Sequence, residues 1–338
     1  MSSPERILIT GSSGFVGRHL VPLCRERYPD AELIGVSHLP VAREEPMPGF
    51  VAVQADLRDG EQMRQLIAER RPDLIIHLAG QASVADSWKR PQETFAINAG
   101  GALNLLEAVR AAGLSPRIVL AGSAEQYGIV APGDNPIRED HSMLPVTPYA
   151  VSKVTQDLLG YQYYAGYGLP VMRARAFNAF GPRQPPTYVV ASLARQLALI
   201  EAGFAEPVIH VGNLAAQRDF LAVRDVARAY LALADSGQPG AAYNLGSGVP
   251  VAIARILELL RSLSTARVET RIDPERLRPI DVPVAYADVT RLRRDTGWQP
   301  ERPLLDALRE VLDYWRGQVR WEAACVVSGE ASATYSAE

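Results

Sequence analysis

Tyr149 and Lys153 are separated by four positions in a segment with a helical pattern. On a helix, this spacing places both side chains on one face. A free tyrosine has a pKa near ~10, and a nearby ammonium and an oxidised nicotinamide both lower that pKa because they favour the phenolate. Tyr149 could then protonate a carbonyl oxygen as hydride arrives, or deprotonate an alcohol in the reverse direction. Such pairs are common on helix surfaces, so further residues must support the assignment.

A second candidate group is the stretch "GSAEQYG" at 122–128, which directly follows the apolar run 118–121. Ser123 precedes Tyr149 by 26 positions and could hydrogen-bond the same substrate oxygen. Glu125 has two interpretations. It could be a base that removes a proton from carbon, or a polar residue with no catalytic role. The residues themselves leave both interpretations open.

The stretch "TGSSGFVGRHL" places Gly11, Gly14 and Gly17 at G-x-x-G-x-x-G spacing, after an apolar strand and at the start of a helix. Glycine allows a tight turn and lets phosphate oxygens approach the backbone. The helix N-terminus adds N–H donors and a partial positive charge. Because the strand and the helix flank the glycines, the pattern predicts dinucleotide binding and not an ordinary turn.

The expected ribose-binding position, at the end of the second strand, holds Val36, Ser37 and His38, with Arg43 a little further on. An acidic residue there would favour NAD. Without one, the site accepts a 2′-phosphate more readily, so NADP(H) is favoured and NAD(H) is allowed. Asp56 and Leu57 follow the third strand and could reach the adenine edge. Asp56 could instead cap the next helix.

Alternating strand and helix patterns must position these residues. Fully apolar runs are typical of parallel strands buried on both faces. The alternation predicts an α/β fold with a Rossmann-type doubly wound parallel sheet. The predicted strands are 7–9, 33–36, 51–53, 74–76, 118–120 and 171–175, and the predicted helices of this half are 16–28, 60–70, 93–112 and 148–167.

The second half of the chain is less regular, and its predicted helices are 189–203, 222–235, 251–264 and about 303–316. The stretch 241–248 indicates a strand that rejoins the first sheet. We therefore expect an NADP(H)-binding domain over 1–176, rejoined by about 222–247. A smaller, discontinuous substrate-binding region would comprise 177–221 and 248–316. The segment 317–338 is poor in pattern and is predicted to be a flexible tail.

Composition excludes several function classes. The 338 residues are 47% hydrophobic and carry a formal net charge of −3, which gives no electrostatic argument for nucleic acid or an anionic membrane. No apolar run approaches the ~20 residues of a membrane span. The five histidines show no paired ligand spacing, so no metal site is predicted. Cys24 and Cys325 form no disulfide framework, and a reducing cytoplasm is the expected compartment.

With these motifs in place, the chain resembles the extended short-chain dehydrogenase/reductase superfamily over about 5–316. Within it, the sequence is most similar to the reductases of GDP-4-keto-6-deoxymannose. GDP-mannose 4,6-dehydratases share several of the same motifs. The stretches that carry the resemblance are "TGSSGFVG", "HLAGQASVADSWKRPQETFAINAGGALNLLEAVR" (77–110), "YAVSK", "FNAFGPRQ" (177–184), "VGNLAAQRDFLAVRDV" (211–226), "DPERLRPIDVP" (273–283) and "TGWQPERPLLDALREVLDYW" (296–315).

The resemblance implies roles for individual residues. The catalytic set would be Ser123, Tyr149 and Lys153, with Glu125 left open. The implied cofactor contacts, beside Tyr149 and Lys153, are Gly11, Gly14, Phe15, Val16, Gly17, Ser37, His38, Asp56, Leu57, Leu78, Ala79, Gly80 and Asn98. The implied nucleotide-sugar contacts are Ser83, Ser123, Asn178, Arg218 and Arg278. Arginine suits a pyrophosphate because its fork pairs with two oxygens, although either arginine could instead form a surface ion pair.

The expected activity is reduction of the 4-keto group of GDP-4-keto-6-deoxy-D-mannose to a GDP-6-deoxyhexose such as GDP-D-rhamnose. The alternatives are a 4,6-dehydratase with Glu125 as base, a nucleotide-sugar 4-epimerase or mutase, and a nucleotide-binding protein without catalysis. Two departures concern the substrate pocket: Ala179 stands where the family commonly has His, and Arg183 where it commonly has Gly. Helices near 93–112 and 148–167 resemble a pair that forms a four-helix dimer interface, which implies a homodimer.

Overall fold

The computed structural model describes residues 3–38, 48–276 and 282–328. The strands within them are β1 (Arg6–Thr10), β2 (Glu32–Ser37), β3 (Phe50–Gln54), β4 (Leu74–His77), β5 (Arg117–Ser123), β6 (Val171–Ala176), β7 (Asn178–Phe180), β8 (Val208–Val211), β9 (Gln217–Ala222), β10 (Ala242–Leu245), β11 (Pro250–Ala252), β12 (Glu269–Ile272) and β13 (Val284–Ala285).

The α-helices of the same residues are α1 (Phe15–Arg27), α2 (Gly60–Arg70), α3 (Val84–Lys89), α4 (Pro91–Phe95), α5 (Gly101–Ala111), α6 (Pro148–Tyr167), α7 (Val189–Glu201), α8 (Val223–Ser236), α9 (Ile253–Ser262), α10 (Thr290–Thr296) and α11 (Leu304–Ser328). A π-helical turn, Ala96–Gly100, joins α4 to α5, so the predicted helix near 93–112 is one helical path with a bulge. The predicted helices over 60–70 and 148–167 are confirmed.

A seven-stranded sheet organises the larger part of the molecule, in the order β10-β6-β5-β4-β1-β2-β3. Every pairing in it is parallel. Helices cover both faces of this sheet, α1 and α8 on one and α2, α5 and α6 on the other, which accounts for the apolar runs in its central strands. The predicted doubly wound α/β fold is confirmed. The strand order reverses between β1 and β4, and crevices at such a switch point hold ligands.

The returning strand was also predicted correctly, since β10 pairs in parallel with β6. The remaining strands form smaller sheets. One contains β7, β9, β11 and β13, and the other contains β8 and β12. A separate apolar cluster forms there around α7, α9 and α11.

The predicted flexible tail from 317 onward is wrong for its first part, because α11 continues to Ser328. Val319 is 2% exposed and Cys325 is 7% exposed, so the apolar stripe of Leu308, Leu312 and Trp315 extends past Gly317. Burial against α7 therefore keeps this segment helical. Although α11 has 25 residues, no helix of the described chain is long and apolar enough to cross a membrane.

Candidate active site

The glycine loop lies where the carboxyl ends of β1 and β4 meet. Gly11 has a φ of +71°, and a Cβ there would lie 2.8 Å from the Ala79 nitrogen, so only glycine fits between the two strands. Gly14 begins α1 without a side-chain cap, and the first turn of α1 holds no acidic residue. Amide donors at this helix end are thus left for an anion. The predicted loop residues, including Phe15, Val16 and Gly17, fit a dinucleotide pyrophosphate.

At the end of β2, the Ser13 hydroxyl donates to the Ser37 hydroxyl at 2.9 Å. The next residue, His38, is exposed. No carboxylate ends this strand, as the sequence indicated, and Arg43 lies outside the described residues. The described end of β2 therefore lacks the group that would oppose a ribose 2′-phosphate.

Asp56 lies at the end of the third strand, and its carboxylate accepts hydrogen bonds from the Arg58 side chain, one of them at 2.6 Å. These bonds lower the pKa of Asp56. The alternative that Asp56 caps the next helix is wrong, because Asp59 caps α2 by accepting from Glu61 N and Gln62 N. Leu57 is buried between α2 and α5.

Sequence reasoning missed a buried hydrogen-bonded contact between the ends of β1 and β4, next to Leu78, Ala79 and Gly80. The Thr10 hydroxyl accepts from Ala79 N at 3.2 Å and lies 2.8 Å from His77 Nδ1. Burial, with a smaller contribution from the charge of Lys153, lowers the pKa of His77 to about 3. The ring is thus neutral and ties the end of β4 to the end of β1. The sequence indicated no role for His77 beyond a possible metal ligand, and among the described residues no cluster suits a metal ion.

Asn98, predicted to contact cofactor, is fully buried in the π-helical turn. Its Oδ1 accepts from Gln81 N at 2.8 Å, and its Nδ2 donates to Gln81 O and to Ser152 Oγ. Both polar atoms are therefore engaged with protein groups. Asn98 joins the loop after β4 to helix α6.

The structure brings Ser123 and Tyr149 together in a buried site. Burial raises the pKa of the Tyr149 phenol, while a hydrogen bond with Ser123 opposes the shift. The Ser123 hydroxyl also accepts from Glu125 N at 3.2 Å, because Ser123 caps a short 3₁₀ turn, Ala124–Tyr127. Burial is the largest cause of the raised pKa of Tyr149, and the ammonium of Lys153 is not among the causes of that shift.

Lys153 lies one turn after Tyr149 on the same face of α6 and is 5% exposed. Its Nζ donates to Ala121 O and to Gln156 Oε1, both at 2.9 Å. Burial lowers the pKa of Lys153 to about 8. A Cβ at Gly80 would lie 3.4 Å from Nζ, so the ammonium also lies beside the loop after β4.

Two further groups affect the pKa of Tyr149. The half-buried Glu125 and the phenol of Tyr188 each contribute to raising its pKa. Tyr188 precedes α7, and its hydroxyl donates to Ala82 O at 3.3 Å, which connects the start of α7 to the loop after β4. Sequence reasoning missed Tyr188, because nothing in the local pattern places residue 188 near residue 149.

The other predicted substrate residues that the structure describes lie on separate elements, and they are less buried than Ser123, Tyr149 and Lys153. Ser83 accepts from Asp86 N and caps α3. Asn178 is exposed on β7, opposite Phe220 of β9. Arg218 on β9 is half-buried, and its Nη1 donates to Gln217 O and Val282 O. Arg278 lies outside the described residues.

Arg183, where the family commonly has glycine, has a φ of +70°. This left-handed conformation favours glycine, so the departure falls on a strained backbone position. The charge of Arg183 contributes to lowering the pKa of His19, behind the larger effect of burial. Arg183 is therefore near His19 on α1, the helix that follows the glycine loop, and the neighbouring Pro182 O lies 3.0 Å from His19 Nε2.

Comparison with known proteins agrees with this geometry. A family model described as GDP-mannose 4,6 dehydratase matches residues 8–311. The chain belongs to the GDP-mannose 4,6-dehydratase family. It is thus an NAD(P)-dependent nucleotide-sugar enzyme of the extended short-chain dehydrogenase/reductase superfamily, as the resemblance implied.

Individual members of the superfamily are also similar to this chain in sequence and in structure. A GDP-6-deoxy-D-mannose reductase from Pseudomonas aeruginosa is 36% identical, with 94% of this chain and 99% of the relative covered. The solved structure of RMD from the same organism, complexed with NADPH, has a TM-score of 0.82 at 36% identity, covering 93% and 98% of the chains. A UDP-glucose 4-epimerase from Thermus thermophilus, in complex with NAD, has a TM-score of 0.82 at 30% identity, covering 92% and 99%.

Proposed function

We propose that this protein reduces the 4-keto group of GDP-4-keto-6-deoxy-D-mannose with NADPH, forming a GDP-6-deoxyhexose such as GDP-D-rhamnose. The observation that carries the proposal is that the buried Tyr149 lies close enough to Ser123 to interact with it and one helical turn before Lys153, at the sheet edge that holds the glycine loop. The similarity to the Pseudomonas aeruginosa reductase favours this substrate within the family. NADP(H) is the favoured cofactor and NAD(H) is allowed, since β2 ends without a carboxylate.

When bound, NADPH would supply the hydride that reaches C4 of the sugar. Burial raises the pKa of Tyr149, so its phenol is protonated at neutral pH and is ready to act as an acid. Tyr149 gives its proton to the oxygen at C4, and the Ser123 hydroxyl hydrogen-bonds the same oxygen. Lys153 keeps positive charge beside the developing phenolate and would hold the cofactor ribose.

We assign the cofactor to 1–176 with 222–247, and the nucleotide-sugar to 177–221 and 248–316. Arg218 and Arg278 would face the pyrophosphate, and Ser83 and Asn178 the sugar. The support for Arg218 is its half-buried position on β9, one strand away from Asn178.

Two incubations test the proposal. Purified protein receives GDP-4-keto-6-deoxy-D-mannose with NADPH, or GDP-mannose alone. Stoichiometric loss of NADPH absorbance with the keto sugar, and no reaction with GDP-mannose, is the expected result. Conversion of GDP-mannose to the keto sugar in the second incubation would show a dehydratase instead.

The dehydratase is the second candidate because Glu125 follows Ser123 on the 3₁₀ turn and acts electrostatically on Tyr149. Such an enzyme needs a base that removes the proton at C5. We expect Glu125→Gln to lower reductase kcat only about twofold to fivefold, since general-base catalysis contributes roughly 10²–10⁴-fold where it operates. A loss of a hundredfold or more would assign Glu125 to the chemistry.

We also propose a homodimer formed through α5 and α6 and a cytoplasmic location. Four large side chains on these helices are exposed by 40–49%, namely Leu103, Val151, Leu158 and Tyr161. Covering them in a four-helix contact would remove apolar surface from water. Sedimentation equilibrium at micromolar protein should give twice the chain mass, and a monomer would refute the dimer.

A further inference from the structure

A buried cluster of charged and polar side chains begins one helical turn after Lys153 on α6, where Asp157 pairs with arginines of β6. Arg175 on β6 is 3% exposed. Its guanidinium binds Asp157 through two hydrogen bonds, Nε to Oδ2 at 2.9 Å and Nη2 to Oδ1 at 3.1 Å. Arg173 adds a third bond to Asp157 Oδ1 at 2.6 Å. The paired arginines outweigh burial and lower the pKa of Asp157.

The position of Asp157 on α6 connects this cluster to the catalytic residues. Tyr149, Lys153 and Asp157 are spaced by four residues each, so they occupy one helix face. All three are buried, with exposures of 8%, 5% and 3%. Arg175 therefore anchors the same face of α6 that carries the candidate acid and the candidate ammonium.

The other end of the cluster reaches the turn that carries Ser123. Arg175 Nη1 donates to the Tyr127 hydroxyl at 3.1 Å, and Tyr127 ends the 3₁₀ turn that Ser123 caps. The Tyr127 hydroxyl in turn donates to Asn244 Oδ1 on β10 at 2.6 Å. Tyr127 and Asn244 are fully buried. Burial raises the pKa of Tyr127 to about 12, so its hydroxyl remains a donor.

We propose that Tyr127, Arg175 and Asp157 are positioning residues that hold the Ser123 turn and helix α6 in register for catalysis. Ser123 must meet the same substrate oxygen as Tyr149, although the two lie on different segments. Arg175 is bonded to both segments, and Asn244 fixes the Tyr127 end to the returning strand. None of the three proposed residues would touch substrate. The predicted effect on kcat rests on the proposed function, because the oxygen that Ser123 and Tyr149 would both contact is the C4 oxygen of that reaction.

The test compares two tyrosines that lose the same atom. Tyr127→Phe removes a fully buried hydroxyl with two hydrogen bonds. Tyr243→Phe is the matched control, since Tyr243 is also fully buried, lies on β10, accepts from Gln238 N at 2.8 Å and donates to Asp295 Oδ2 at 2.9 Å. Both variants should lose similar stability in a thermal melt.

Only Tyr127→Phe should lower kcat, on the order of tenfold, while the KM for NADPH stays within about twofold of wild type. A purely structural role would instead lower the melting temperature of both variants and leave both kcat values alike. Equal kcat in the two variants, or an unchanged kcat in Tyr127→Phe, would overturn the inference.

Failure of the proposed function is distinguishable from failure of this inference. If wild type converts GDP-mannose and not the keto sugar, the function is wrong, and the same two variants are compared on GDP-mannose. If neither sugar reacts, hydrogen exchange decides. Amides of 123–128 should exchange about tenfold faster in Tyr127→Phe than in Tyr243→Phe. Equal exchange would refute the positioning role without reference to any substrate.

Discussion

Asp157 and Asp219 are both buried carboxylates, and each is close to a residue of the candidate site. Asp157 lies one helical turn after Lys153 and is neutralised by Arg173 and Arg175. Asp219 follows Arg218 on β9 and is fully buried. It accepts from Ser247 N, Gly248 N and Ala287 N, and from the Ser247 hydroxyl, at 2.6–3.1 Å.

The two environments shift the carboxyl pKa in opposite directions. Guanidinium groups lower the pKa of Asp157 despite its burial. Burial raises the pKa of Asp219, and its hydrogen bonds only reduce that shift. The proposed catalytic half, around Tyr149 and Lys153, is thus held by charge pairing between α6 and β6. The proposed substrate half, around Arg218, is held by a carboxylate on β9 that binds Ser247, Gly248 and Ala287. We expect changes in the first half to affect the chemical step and changes in the second to affect binding.

The largest expected effect tests the catalytic half. Tyr149→Phe removes the proposed acid, so kcat should fall by roughly 10²–10⁴-fold, with the KM for NADPH nearly unchanged. Steady-state NADPH oxidation measures both constants, and Tyr161→Phe on the same helix is the control. Wild-type turnover in Tyr149→Phe would remove Tyr149 from the mechanism.

The next effect is on stability and compares the two aspartates directly. Asp157→Asn leaves a buried guanidinium underpaired and should lower the free energy of unfolding by about 3–5 kcal/mol. Asp219→Asn should lower it by only about 1–2 kcal/mol, because the neutral amide is easier to bury but cannot accept through its nitrogen. Urea unfolding at pH 7 gives both values. A larger loss of the free energy of unfolding in Asp219→Asn than in Asp157→Asn would contradict the expected order.

A smaller effect is expected at the substrate side. Arg218→Gln should raise the KM for the nucleotide-sugar about tenfold to a hundredfold with little change in kcat, since it removes binding shared by ground state and transition state. Arg255→Gln, at an arginine exposed on α9 and paired with Glu258, serves as the control. A fall in kcat at unchanged KM would place Arg218 in the chemical step.

The smallest effect is the pH dependence of stability. The folded-state pKa of Asp157 lies below that of an unfolded aspartate, about 3.9, so its stabilisation is complete above that pH and is lost as the pH falls through the folded value. For Asp219 the folded pKa is higher than the unfolded one, so acid relieves the penalty of its buried charge. The difference in the free energy of unfolding between wild type and Asp157→Asn should therefore become smaller below about pH 4.

As the pH falls over the same range, the free energy of unfolding of wild type should rise relative to that of Asp219→Asn. Unfolding curves at several pH values between about 3 and 7 follow both differences. Parallel behaviour of the two variants would contradict the opposite pKa shifts.

Local signals predicted much of this molecule. Helices α2 and α6 begin and end where the sequence indicated, because Asp59 and Thr147 cap their starts and Gly168 ends α6 in a left-handed conformation. The glycine loop was also predictable, since strand, glycine spacing and helix are neighbours along the chain. These features depend on contacts within a few residues, and such contacts can be inferred from sequence alone.

Only the tertiary structure decided which distant side chains meet. Tyr127, Asp157, Arg175 and Asn244 come from four segments, and no pattern in any one of them indicates the others. The same holds for the buried extension of α11, whose residues look weakly patterned until α7 covers them. The sequence by itself determined the fold class and the candidate catalytic residues, through short-range spacing and apolar runs. The strand order then decided their partners, charges and pKa shifts, because those depend on burial and on neighbours far away in the chain.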